Sequence, residues 1–155
     1  MAKRKKQTIS GNTDRPAATA GATKPQWKYA RHPAEDADWD RWYWRNSEAV
    51  RGKFEQVFET LEDNSVWHQT GHYKPLKNSD GLGEVRFHQE VPWRFLGFFG
   101  LERQEFTITM ICYHKEDDYD PRDALKTGVK RMKAIKSGKV QRIRCERPGR
   151  DDGED

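Results

Sequence analysis

Arg86, His88 and Arg94 fall within one nine-residue stretch, and His114 and Lys115 follow at the end of the next apolar run. These types suit an anion. A guanidinium stays protonated and can grip two oxygens of a phosphate or carboxylate at once. An imidazole titrates near neutrality and can give or take a proton. Arg86 and Arg94 are embedded among apolar neighbours, where a charge is costly unless an anion meets it.

Three strand-like runs must position these groups. In residues 82–88 strict alternation sets Val85 and Phe87 on one face and Glu84, Arg86 and His88 on the other. In residues 93–99, Trp93, Phe95 and Phe99 share one face while Arg94, Leu96 and Phe98 share the other, as expected of an inner strand with neither face fully solvated. In residues 105–113 Phe106, Ile108, Met110 and Cys112 alternate with Thr107, Thr109, Ile111 and Tyr113. That parity places His114 with Phe106 and Cys112, either as a site residue or as a strand-end histidine bonded to backbone. The short links predict an antiparallel meander, because parallel pairs need a long crossover.

Two amphipathic helices frame the meander. Val50, Phe54, Val57, Phe58 and Leu61 follow helical spacing behind a capping Asn46, with Arg51, Glu55, Glu59 and Glu62 on the outer face. A second helix is expected to open at Asp120 and Pro121, to bury Leu125, Val129, Met132 and Ile135, and to stop at Gly138. Its outer face is basic through Arg122, Lys126, Lys130, Lys133 and Lys136. Such a face either touches RNA or is simply solvated. Trp39, Trp42, Tyr43 and Trp44 form a cluster that either packs as a satellite core or stacks on bases.

At 155 residues, 34% hydrophobic and 35% charged, the chain has room for one domain. Its net charge of +4 is uneven. Eight Lys or Arg against one Asp occur up to Arg31, so the remaining 21 basic and 24 acidic side chains leave the rest at −3. Any nucleic-acid site in the body is therefore a local patch. The expected organisation is a disordered basic arm over 1–26, one domain over 27–139, and a polar tail over 140–155. The basic start at Lys3 lacks the apolar stretch of a secretory signal, and no apolar run reaches membrane-spanning length. Cys112 lies in a strand pattern and Cys145 in a polar segment, which is no disulfide framework and suits a cytoplasmic setting. His68 and His72 have the spacing of helical metal ligands, but Gly71 and Pro75 argue against a helix there and no third ligand stands out.

The order of helix, Lys74 to Lys77 loop, Gly81 to Arg86 strand, Trp93-Arg94 strand, strand ending in His114-Lys115, and helix containing Ala124, Lys130 and Arg131 resembles the RelE/HigB toxin superfamily, in particular its phage-derived HigB-like branch. The resemblance covers roughly Arg45 to Lys136. It implies an α+β fold, with N-terminal helices packed on a twisted antiparallel sheet of three to four strands and a C-terminal helix. It also implies a toxin that cleaves mRNA on the ribosome, needs neither cofactor nor metal, and is neutralised by a small helix-turn-helix antitoxin. By the same resemblance Arg86, His88, Arg94, His114 and Lys115 are the catalytic candidates, with Arg86 and Arg94 on the phosphate. Lys74, Lys77, Lys126, Lys130 and Lys133 are the candidate RNA contacts.

Cleavage by the RNA's own 2′-hydroxyl needs that proton removed, in-line attack on phosphorus, stabilisation of added negative charge, and protonation of the leaving 5′ oxygen. The named residue types supply each step. The chain departs from the family pattern in the acidic run Glu116 to Asp120 and in Trp93, which stands where relatives carry tyrosine. No clear counterpart exists for the catalytic tyrosine of some relatives, with Tyr119 as a displaced substitute. An RNA- or ribosome-binding relative without cleavage, and a phage-derived interaction protein, are the alternative readings.

Overall fold

The computed structural model describes residues 25–150, so the basic arm lies outside the described residues up to position 24. The fold is α+β. In chain order it contains β1 (Lys28–Arg31), α1 (Trp39–Arg45), α2 (Glu48–Glu62), β2 (Tyr73–Pro75), β3 (Gly83–Gln89), β4 (Val91–Phe99), β5 (Glu105–Lys115), β6 (Asp118–Asp120), α3 (Ala124–Lys136) and β7 (Ile143–Cys145). The sheet order is β2-β3-β4-β5-β1-β7, with β6 pairing the far end of β5. Strand β1 runs parallel to β5, and every other pairing is antiparallel.

The meander of β3, β4 and β5 is the centre of a sheet wider than the three to four strands expected. The added strands are three or four residues long. Segments that short carry no readable alternation.

Both sheet faces are covered. On one, α1 and α2 bury Trp39, Trp42, Tyr43, Val50, Phe54, Phe58 and Leu61 against Val85, Phe87, Phe95, Phe106 and Ile108. Most of the tryptophan cluster is thus core: Trp42 packs edge-on against Phe95 and Trp93 at centroid distances of 4.8 and 5.2 Å. On the other, α3 lays Ala124, Met132 and Ile135 over Leu82, Leu96, Phe98, Met110 and Cys112. Gly128 permits the close approach, since a Cβ there would sit 3.1 Å from Leu82 Cδ2 and 3.2 Å from Leu96 Cδ1.

Helix ends differ from expectation by one to three residues. Ser47, not Asn46, caps α2, its Oγ accepting from Val50 N at 3.2 Å. Asn46 instead donates through Nδ2 to Trp42 O at the end of α1. Helix α3 starts at Ala124, because Asp120 is held in β6 opposite Tyr113. Its fully buried stripe is consequently Ala124, Gly128, Met132 and Ile135, with Leu125 and Val129 half-buried beside it.

Within the segment expected as a polar tail over 140–155, residues 143–145 belong to the sheet. Strand β7 pairs β1, and beyond it Arg147 is buried with its Nε donating to Glu62 Oε2 at 2.8 Å and its Nη2 to Oε1 at 3.2 Å. Tyr29 OH donates to the same carboxylate at 2.7 Å. Glu62 is therefore not on the outer face of α2. A buried carboxylate persists only with such partners.

Candidate functional site

One irregularity decides which side chains meet at the end of the sheet. Between β4 and β5 the register runs Leu96↔Met110 and then Gly97↔Ile108, so Thr109 is an extra residue in β5. A β-bulge of this kind leaves two residues opposite one and breaks the strict alternation. Phe106 and Ile108 keep the α2 side, whereas Met110 and Cys112 go to the α3 side. The expected common face of Phe106, Ile108, Met110 and Cys112 is thus corrected. His114, two residues beyond Cys112, joins the α3 side.

That side carries the arginines. Arg86 and Arg94 are direct cross-strand partners in β3 and β4, and Arg94 lies opposite Cys112 of β5. Two cations placed directly opposite repel. The compensating anion is Glu84, which shares their face and is only 4% exposed. Arg94 Nε stands 3.6 Å from Glu84 Oε2, an ion-pair distance too long for a hydrogen bond, and Arg94 Nη1 donates to the Trp93 carbonyl at 2.9 Å. Tyr119 of β6 completes the group, its hydroxyl donating to Glu84 Oε1 at 2.9 Å. Burial, and then the Glu84 charge, push the Tyr119 hydroxyl well above its ordinary titration range. The same two causes push the Cys112 thiol up to about 12.

Arg86 differs. It is half-buried, and its guanidinium has neither hydrogen-bond nor ion-pair partner among the described residues. His88 follows it on the same strand face and is exposed. His114 packs edge-on against Tyr119, with centroids 4.7 Å apart and planes at 81°. Arg86, His88, Arg94 and His114 therefore occupy one side of the sheet, with His88 exposed, Arg86 and His114 half-buried, and the Arg94 side chain 15% exposed. Lys115 does not: it alternates to the opposite side and sits exposed at the β5–β6 turn, opposite Asp118.

The lysines are dispersed. Lys74 is exposed on edge strand β2, opposite Glu84 and on its face. Lys77 is exposed in the following turn. Lys126, Lys130 and Lys133 line the solvent side of α3, where Lys133 pairs with Asp80 at 3.0 Å in the open. His68 lies exposed in a 3-10 turn at Trp67–Gln69, and among the described residues no cluster of three or more His, Cys, Asp or Glu could hold a metal ion. No helix among them is long and apolar enough to cross a membrane.

Sequence reasoning missed the roles of Glu84 and Tyr119. The signal for Glu84 was present, since it sits two residues before Arg86 on the same strand face. Tyr119 stood out only as a displaced substitute for the relatives' tyrosine, and its contact with Glu84 gave no signal, because a three-residue strand shows no period. Compared with protein-family models, with curated proteins and with solved structures, the chain matched none.

Proposed function

We propose that the chain is a toxin-type endoribonuclease of the RelE/HigB kind, cleaving mRNA on the ribosome by 2′-hydroxyl attack without a metal ion, acting in the cytoplasm and restrained by a small helix-turn-helix antitoxin. The observation that carries this reading is the placement of Arg86 directly opposite Arg94, with His88 and His114 on the same side of the sheet. Arg86, unpaired among the described residues, grips the scissile phosphate, and Arg94 faces the charge that grows on it. One imidazole takes the 2′-hydroxyl proton and the other protonates the departing 5′ oxygen. The element order of two helices, three-stranded meander and helix, which the resemblance requires, also supports it.

A second reading is an RNA- or ribosome-binding relative that does not cleave. The ion pair of Arg94 with buried Glu84 favours it, because a guanidinium already neutralised has less charge to offer a phosphate. Inducible expression followed by mapping of 5′ ends in translated transcripts separates the two. New ends that vanish in Arg86→Ala and Arg94→Ala support cleavage. Ribosome co-sedimentation with no new ends supports binding alone.

A further inference from the structure

We propose that the exposed tip of α1 is a stacking platform for an unpaired base of single-stranded RNA, centred on Trp44. Of the clustered aromatics at 39–44, Trp39, Trp42 and Tyr43 are buried, and Trp44 alone stays outside at 66% exposure. Its indole is held in place. Tyr43 meets it edge-on at 5.0 Å, and the Arg51 guanidinium lies 5.4 Å from its ring centroid. Arg51 is itself fixed by donating to the Asn46 carbonyl at 2.7 Å. Arg51 lies over one face of the ring, so a base would stack on the other, and such stacking tolerates any sequence because every base has a π-face.

A lone exposed tryptophan needs no explanation by itself; its surroundings do. Arg41 lies one helical turn before Trp44 and Arg45 directly after it. Arg45 has no charged partner among the described residues, and Arg41 meets only Glu35, at 3.6 Å on the open surface. Arg51 at the indole, with Arg41 and Arg45 on the same short helix against its one acid, Asp40, complements a polyanion better than an apolar protein surface.

The platform lies on the α1 side of the sheet, opposite the face that carries the candidate site. Arg41 and Arg45 line a cavity of about 410 Å³ whose far wall includes Trp93 and Tyr113. Those two are cross-strand partners in edge-to-face contact at 5.7 Å, and they precede Arg94 and His114 in their strands. An RNA strand rounding this end of the sheet would thus run from the arginine side to the tip of α1. Of the carboxylates on the cavity wall, Asp36 is engaged by Arg131 and Asp38 by the first turn of α1 and Arg31, while Glu35 meets Arg41 on the open surface.

The proposal rests on the RNA reading of the site but is tested apart from cleavage. The full chain is titrated against a labelled single-stranded 2′-O-methyl oligonucleotide, which cannot be cut by its own 2′-oxygen, and against an abasic version of the same length. Trp44→Ala should weaken binding to the first about 10-fold, Trp44→Phe should stay within about threefold, and neither should change binding to the abasic strand. Absence of oligonucleotide binding, an unchanged affinity in Trp44→Ala, or an equal loss on the abasic strand overturns the platform and leaves the exposed ring to a protein contact. Trp44-dependent binding without new 5′ ends in cells would keep the platform and sink the nuclease reading. New ends with Trp44-independent binding would do the reverse.

Discussion

Arg86 and Arg94 face each other across two antiparallel strands, yet among the described residues only Arg94 has an ion-pair partner, the buried carboxylate of Glu84. Losing one arginine or the other should therefore cost the fold differently. Arg86→Ala should leave thermal stability within about 0.5 kcal/mol of wild type and lower RNA cleavage on the order of 10² to 10³-fold. Unchanged 5′-end yields in this variant would refute its role.

Arg94→Ala should behave differently because it strands Glu84 in the interior. Breaking a buried pair on one side costs about 3 kcal/mol. The double variant Arg94→Met with Glu84→Gln should recover most of that loss in urea denaturation, since both charges are then gone. A double variant no more stable than Arg94→Ala would mean that the pair is not the source of the cost.

Gly97 lies where the β4–β5 register shifts. A Cβ at this position would come 2.5 Å from the Thr107 carbonyl oxygen and 2.5 Å from Phe106 Cζ. A backbone atom cannot swing away as a side-chain tip can. Gly97→Ala should therefore destabilise by about 3 kcal/mol or more, and with the bulge disturbed His114 loses its side of the sheet. Circular dichroism melts check the first effect.

Burial raises both thiols, Cys112 to about 12 and Cys145 to about 11. At pH 8 only about one Cys112 in ten thousand is the reactive thiolate. Iodoacetamide should label neither cysteine in the native protein and both in urea, read by intact mass. The thiolate fraction grows tenfold per pH unit below these values, so slow labelling should appear first at Cys145 as the pH is raised.

Arg147→Ala should cost about 3 kcal/mol or more by leaving Glu62 with Tyr29 as its remaining partner among the hydrogen bonds described above. Removing residues 147–155 should cost at least as much. A truncated chain that melts like wild type would show that the C-terminal segment contributes nothing to the fold.

The long apolar stripes were legible. Residues 50–61 and the alternation in 82–88 and 93–99 each repeat often enough to fix both element and face. The bulge at Thr109 was not, because an inserted residue in a run of alternating Thr, Ile and Met leaves the apolar pattern intact while reversing its direction. Arg147 was equally hidden: its partner lies 85 positions away, and no local pattern announces a contact at that distance. At the candidate site, strand parity placed Arg86 with His88, and the β3–β4 register brings Arg94 opposite Arg86. His114 reached them only through the bulge, and parity sends Lys115 away.

The first strand sits between two of the last to be made. Lys28–Arg31 pairs on one side with residues 105–108 and on the other with 143–145, so neither neighbour exists while the N-terminal half is being translated. Closing such distant pairs carries a loop-entropy cost that local contacts do not repay, which slows folding. The full sheet can assemble only after residue 145 has left the ribosome, and until then the nascent chain carries a strand with at least one edge open.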